Sequence, residues 1–373
     1  MSTTEHQDEV DYKILSEKII VAYTEVLLSE AWLYQRLSMG MRSKILRMNQ
    51  QDRQFLQQIN GLSSIMERYK DPKRLDSVAD LIDLGKIYEN VDKREQESKD
   101  EYLKYEDFIV LEVLRYFKND FFKWVNKPKC PTCHNDGDNV VTNGFESIPG
   151  DDDISMVEKY ECIHCNQKIN FPRHNDPVKL LLTRCGRCGE WVNCFMLILL
   201  ALLGTEAKLR YVWNAEDHVW CEYYSRGAQR WIHLDPCEGV ADAPLLYCEN
   251  WGKRMSWCIG FGDSYVIDLS DKYITKEKQI PKSSLISDPK LVDTYINNVL
   301  NRQKLQTYFL TLIDPLPLER SQKMRLLYNE ILLLNKEKSA SDNSGMLLAR
   351  EDLPKGRQSG DKVWTKGRGE SNQ

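Results

Sequence analysis

No cysteine occurs before Cys130 or after Cys258, so the chemistry of the eleven cysteines is confined to the middle third of this 373-residue chain. A long apolar run is also missing. The longest, residues 194–203, has ten residues, against the roughly 20 that span a bilayer. The first residues are acidic and lack the basic start and apolar stretch of a signal peptide, so the expectation is a chain without a membrane span in a reducing compartment. Nor is there an excess of positive charge. The chain carries 51 basic and 56 acidic side chains, net −5, and bulk charge therefore predicts no nucleic-acid partner. An odd number of cysteines without a secretion signal argues against a disulfide framework and for metal ligands or a reactive thiol. What is present suffices for a core: 42% of residues are apolar and 29% charged, and the length suits two to three domains.

Texture changes along the chain set the expected organisation. Residues 1–104 are predicted to be a helical N-terminal region, because Ile14, Ile19, Val26, Leu27 and Leu33 recur on one helical face. Residues 105–280 open with another helical pattern and then carry short aromatic and β-branched runs broken by Gly, Pro, Asn and Asp, which read as strands. Six of the nine tryptophans fall between Trp191 and Trp257, and most are expected to fill a core between helix and sheet. Residues 281–338 return to a helical pattern. Residues 339–373, rich in Ser, Gly, Asp, Lys and Arg, offer little to bury and are predicted to be disordered.

Two CxxC pairs, Cys130/Cys133 and Cys162/Cys165, supply four thiolates at the spacing that lets each pair grip one ion. A closed four-sulfur shell leaves no open position, so one structural zinc ion is expected within residues 130–165. His134 and His164 are rival ligands, and a redox pair is the rival chemistry. The 28 residues between Cys133 and Cys162 exceed the commonest linker, and the Gly- and Asp-rich insert at 135–153 is expected to loop out.

Cys188 stands where glycines 186 and 189 allow a tight path into the most apolar stretch of the chain, expected to be a helix of about four turns ending near Gly204. A thiol at a helix N-terminus feels the positive end of the macrodipole, which favours thiolate. Cys194 reads as packed core, and Cys185 forms a third CxxC with Cys188. A nucleophile needs a base and the base an orienting group. His218 starts one alternating strand, and Trp231, His233 and Asp235 share a face of the next. If these strands are neighbours, Asp235 reaches His218 and His218 reaches Cys188; His233 is the rival base.

The stretches Gly186-Arg187-Cys188-Gly189-Glu190-Trp191-Val192-Asn193-Cys194, Arg210-Tyr211-Val212-Trp213-Asn214-Ala215-Glu216-Asp217-His218 and Trp231-Ile232-His233-Leu234-Asp235-Pro236-Cys237-Glu238 resemble cytosolic peptide:N-glycanase. That family is a group of deglycosylating amidases in the transglutaminase-like superfamily. The likeness extends over about residues 105–273 in a compact, fungal-like layout. It implies an α+β, transglutaminase-like (papain-like) cysteine-enzyme core with a four-cysteine zinc knuckle and helical N- and C-terminal flanks. Carried over, it implies Cys188 as nucleophile, His218 as base, Asp235 as orienting carboxylate, Glu238 as a substrate contact, and Cys130, Cys133, Cys162 and Cys165 as structural zinc ligands. Cys185 has no place in the family pattern. The implied reaction cleaves the bond between an N-linked glycan and Asn of denatured or misfolded glycoproteins through a Cys thioester, leaving Asp and the intact glycan, in support of proteasomal degradation. The implied location is cytoplasmic or also nuclear. The implied partner is a ubiquitin–proteasome shuttle protein docking on the N-terminal helical region, residues 12–37. The competing readings are another thiol enzyme of the same superfamily, a protease or transglutaminase, and a non-catalytic binding member.

Overall fold

In the computed structural model the most apolar stretch becomes one helix, Cys188–Leu203, and side chains 190–200 along it are all buried. A helix apolar on every side must be covered on every side, and the larger of two compact units is built around it. The structure describes residues 18, 40, 43–45, 47–98, 102–151, 153–301, 303, 304, 307, 353–368, 370 and 371. The predicted docking helix at 12–37 lies outside the described residues, apart from Lys18. The larger unit comprises residues 62–263, 267–284 and 342–373, and the smaller one residues 1–61, 264–266 and 285–341. In the smaller unit, helix Gln50–Leu62 meets the turn before helix Pro289–Tyr295 through Asp52, which accepts hydrogen bonds from the Ser287 backbone N–H at 3.0 Å and from its hydroxyl.

The larger unit opens with helices α1 (Pro72–Ala79), α2 (Leu84–Glu97) and α3 (Tyr105–Tyr116), of which α1 and α3 pack on the central helix. Short strand β1 (Lys123–Trp124) follows, and then β2 (Val140–Ser147), β3 (Ile154–Cys162) and β4 (Lys168–His174) form a three-stranded antiparallel sheet in the order β2-β3-β4. The insert at 135–153, expected to loop out, therefore carries strand β2 over Val140–Ser147. Its run Val140-Val141-Thr142 pairs with β3, although seven of the eight residues of β2 are exposed or partly so.

Next come α4 (Pro177–Thr183), strand β5 (Cys185–Gly186), parallel to β1, and the central helix α5 (Cys188–Leu203). Gly204, at φ 85°, ends α5 as the sequence predicts. Strands β6 (Leu209–Asn214), β7 (His218–Ser225), β8 (Arg230–Asp235), β9 (Val240–Ala241), β10 (Cys258–Phe261) and β11 (Val266–Asp268) make a six-stranded sheet in the order β11-β10-β6-β7-β8-β9. Helix α5 packs on β6 and β7, the two middle strands.

A buried ion pair locks this sheet. Arg210 on β6 and Glu222 on β7 lie opposite one another, fully buried, and Lys272 Nζ adds a second cation 2.6 Å from Glu222 Oε1. Burial alone would raise the Glu222 carboxyl, but the two cations hold it at about 2.

The C-terminus departs from the sequence expectation. Residues 339–352 lie outside the described residues. The described residues 353–368, 370 and 371 are packed rather than disordered, with helix α6 (Lys362–Gly367) capped by Asp361 and with Arg357, Ser359, Thr365 and Glu370 buried. This segment has too little apolar surface to look foldable in isolation; it is held by ion pairs and by stacking of Arg357 on tryptophans.

Candidate active site

Three residues, 215–217, join β6 to β7, and Asp217 takes the left-handed conformation at φ 59°. This tight connection sets His218 directly opposite Asn214 as the first residue of β7. In the β7–β8 register Cys221 faces Leu234, so Asp235 falls diagonal to His218. The diagonal is bridged: His218 Nε2 lies 2.9 Å from Asp235 Oδ2, with both side chains fully buried. Burial depresses the imidazole and the neighbouring carboxylate partly restores it, the net shift being downward. Burial would lift Asp235, but its bond to His218 and the nearby imidazoles hold it at about 2. The resting pair is thus a carboxylate and a neutral imidazole whose Nε2–H donates. The other nitrogen, Nδ1, is buried without a hydrogen-bond partner and is free to accept a proton.

Asp235 is itself held from three sides. Oδ1 accepts the Glu238 backbone N–H at 3.1 Å, and Oδ2 also accepts the Tyr247 hydroxyl at 3.0 Å. The Tyr247 oxygen in turn accepts from His233 Nε2 at 2.7 Å, while His233 Nδ1 accepts the Ala243 N–H at 3.3 Å. Both His233 nitrogens are therefore engaged inside the sheet, and burial lowers its pKa to about 4. Tyr247 had no sequence signal. It reaches Asp235 from the irregular helical turn Leu246–Asn250, which also carries the chain to Trp251, whose ring centroid lies 5.0 Å from that of His218.

Cys188 is the first residue of α5, partly buried, on the helix that packs against β7. The helix tip is fixed in place by charge. Glu190 Oε2 accepts the Arg187 N–H at 3.1 Å and pairs with Arg173 on β4, while Glu158 on β3 binds both Arg173 and Arg187, at 2.8 and 2.7 Å. Gly186 permits this closeness, since a Cβ there would sit 2.5 Å from Glu190 Cβ. The helix terminus does not deliver a thiolate by itself. Burial pushes the Cys188 thiol up, Arg357 pulls it down, and Asp217 and Glu190 push it up again. Arg357 also opposes protonation of His218, so one guanidinium acts on both groups. The structure brings His218 and Asp235 into contact and sets Cys188 on the adjacent helix tip, without a hydrogen bond to His218. Cys194 is core, and burial pushes the Cys185 thiol up.

Glu238 follows Asp235 by three residues and is buried. Its two oxygens accept the backbone N–H groups of Gln358 and Ser359, at 2.8 and 3.0 Å. Of the six clustered tryptophans, Trp191, Trp220, Trp251 and Trp257 are all at most 2% exposed, so they serve chiefly as core.

The four CxxC sulfurs gather at one point, all within 4.8 Å of one another, with closest approaches of 3.5 Å. Tetrahedral zinc with bonds of about 2.3 Å would set its sulfurs ~3.8 Å apart, so the cluster fits that ion. The two knuckles are built alike. His134 N–H donates to Cys130 O at 3.0 Å and Asn166 N–H to Cys162 O at 2.8 Å, and both His134 and Asn166 are left-handed, at φ 58° and 57°. Neither His134 nor His164 belongs to the cluster. Val140, Tyr160, Ile169 and Phe171 pack around the sulfurs in a satellite core.

Residues 152–236 match the transglutaminase-like superfamily, and residues 208–324 match the Rad4 transglutaminase-like domain. The peptide-N(4)-(N-acetyl-beta-glucosaminyl)asparagine amidase of Debaryomyces hansenii is 49% identical over 370 residues, covering 97% of this chain and 98% of that protein. The protein of the same name from Candida albicans is 46% identical over 395 residues, covering 97% and 96%. Among solved structures, Rad4–Rad23 bound to a 6-4 photoproduct UV lesion aligns at 11% identity and a TM-score of 0.40, over 74% of this chain and 61% of that one.

Proposed function

Because this chain belongs to the peptide-N(4)-(N-acetyl-beta-glucosaminyl)asparagine amidase family, we propose that Cys188, His218 and Asp235 carry out its deglycosylating reaction, with the buried His218–Asp235 contact as the observation that carries the assignment. The chain is a carbon–nitrogen amide hydrolase. His218 Nδ1 takes the proton from Cys188 Sγ as the sulfur attacks the side-chain amide carbon of the glycosylated asparagine. A carbon–sulfur bond forms. His218 then gives its proton to the departing glycosylamine nitrogen as the carbon–nitrogen bond breaks, leaving a thioester. Water, deprotonated by His218, attacks the thioester; the thiol leaves and the asparagine has become aspartate. Asp235 holds the imidazole tautomer and stabilises the imidazolium between these steps. The backbone N–H groups of Cys188 and Gly189, which have no helical partners, are the candidate donors to the developing oxyanion.

Glu238 is proposed to accept hydrogen bonds from the substrate. Cys130, Cys133, Cys162 and Cys165 are proposed to hold one structural zinc ion, which supplies no catalysis and fixes the three-stranded sheet whose Glu158 and Arg173 brace the helix tip. Denatured or misfolded N-glycoproteins in the cytoplasm are the proposed substrates. A ubiquitin–proteasome shuttle protein is the proposed partner, docking on residues 12–37. Deleting residues 1–40 is expected to abolish co-purification with the shuttle and to spare activity; undiminished binding would refute that dock.

Product chemistry separates the amidase from its rivals. A denatured N-glycoprotein should yield an intact glycan and an Asp at the former glycosylated Asn, with every peptide bond uncut. Backbone cleavage or an isopeptide product would instead make the site a protease or a transglutaminase.

A further inference from the structure

The C-terminal segment, residues 353–371, lies across the candidate site and is anchored on both sides of it. On the His218 side, Arg368 Nη1 pairs with Asp217 Oδ2 at 2.6 Å, and Nη2 donates to the Glu216 and Asp217 carbonyls, both at 2.9 Å. On the Asp235 side, both oxygens of Glu238 are taken up by the successive N–H groups of Gln358 and Ser359. Arg357, next to the Gln358–Ser359 anchor, is buried. Its guanidinium lies over Trp251, 5.0 Å from the ring centroid, and Trp251 is one of the rings packed on His218. Glu370 ties the segment to itself and to the body of the unit, accepting from Arg357 Nη1 at 2.8 Å and pairing with Lys253.

These contacts have the character of a bound ligand. Main-chain N–H groups satisfy a carboxylate that would otherwise be buried without partners, and sugar hydroxyls or a substrate's own amides are donors of the same kind. The fit is also incomplete: Arg357 Nη2 and His218 Nδ1 remain buried without partners. An occupant that leaves donors and acceptors unsatisfied is one that a better-matched ligand displaces.

We propose that residues 353–371 are a built-in pseudosubstrate, a strap whose Arg357-Gln358-Ser359 stretch occupies the glycopeptide cleft through Glu238 and must leave before a glycoprotein can reach Cys188. This rests on the amidase reading of the site. An intramolecular competitor lowers the fraction of enzyme competent to bind, raising apparent KM and leaving kcat unchanged.

The test uses two full-length variants that loosen the strap away from the reacting groups. Glu370→Ala removes the anchor shared by Arg357 and Lys253. Gly360→Val places a branched side chain at φ 100°, where even a Cβ would lie 2.8 Å from the Trp364 ring. KM for a denatured glycopeptide is expected to fall in both by about tenfold at constant kcat, the change for a strap seated nine-tenths of the time. Iodoacetamide alkylation of Cys188, mapped by mass spectrometry, is expected to quicken by a similar factor. A synthetic peptide of residues 353–371 should restore the wild-type values, and unchanged melting curves confirm that the variants fold. Unchanged KM and alkylation would overturn the strap. A fall in kcat/KM would also overturn it, by making the segment a required part of the site. If the wild type releases no glycan at all, the amidase reading fails, and the alkylation rates still report whether the strap covers Cys188.

Discussion

Tyr247 donates its hydroxyl to Asp235 Oδ2 at 3.0 Å, on the same oxygen that receives His218 Nε2. The tyrosine thereby joins His233 to the proposed base, His218, through one carboxylate. Tyr247→Phe leaves the ring packing and removes this bond, so Asp235 loses one of its fixing contacts and His233 Nε2 loses its acceptor. Steady-state kinetics should show kcat down by about tenfold with KM little changed, and the unpaired donor should lower stability by about 1–3 kcal/mol. Asp235→Asn should be far more severe, on the order of 10^3–10^4 in kcat, because it disfavours the tautomer that leaves Nδ1 free.

The pH profile of kcat/KM should carry the mark of burial. His218 must be neutral to take the Cys188 proton, and burial depresses it below its ordinary 6.5 despite Asp235. The acid limb should therefore fall below pH 6.5, and Asp235→Asn should move it lower still by removing the group that favours the imidazolium. An acid limb above pH 6.5 in the wild type would contradict the neutral resting pair.

Stability should fall on acidification through a second histidine. The folded pKa of His233, about 4, lies below the unfolded value of 6.5, so below 6.5 the unfolded chain binds a proton that the folded chain does not. Stability is then full above pH 6.5, declines as pH falls towards 4, and loses on the order of 3 kcal/mol over that window. Urea titrations across the range should show this decline, and His233→Gln should flatten it.

Removing the metal should act on the fold first and on activity second. One zinc per chain is expected by elemental analysis, released by a strong chelator together with loss of the three-stranded sheet. Cys130→Ser should weaken zinc binding and lower the melting temperature. Activity should decline with it, because Glu158 and Arg173 on β3 and β4 brace the helix that presents Cys188.

How much of this was legible depended on whether the signal was local. The clustering of the four cysteines could be read from spacing, because a knuckle is made within four residues. The buried helix and its glycine stop followed from hydrophobicity and Gly204. His218 and Asp235 were legible as strand residues, but their pairing needed the β7–β8 register. Tyr247 was not legible: its contact arises from an irregular turn twelve residues after Asp235, and no periodicity announces it. The insert before Cys162 contains a readable strand, Val140-Val141-Thr142, obscured by its Gly- and Asp-rich surroundings. The C-terminal strap failed for a physical reason. Composition measures apolar area, whereas this segment is held by the Arg357–Glu370 and Arg368–Asp217 ion pairs. Asp361 as a helix cap and Trp364 alone in a polar tail were the available hints.

The most direct measurement incubates a denatured N-glycoprotein with wild type and with Cys188→Ala, and reads the glycosylated site by mass spectrometry. The account predicts conversion of Asn to Asp with release of the intact glycan by the wild type. Cys188→Ala should lose this by on the order of 10^3-fold or more, while keeping the wild-type melting temperature and zinc content. Conversion by Cys188→Ala at a rate near the wild type's would contradict the account, since alanine has no atom with which to attack the amide.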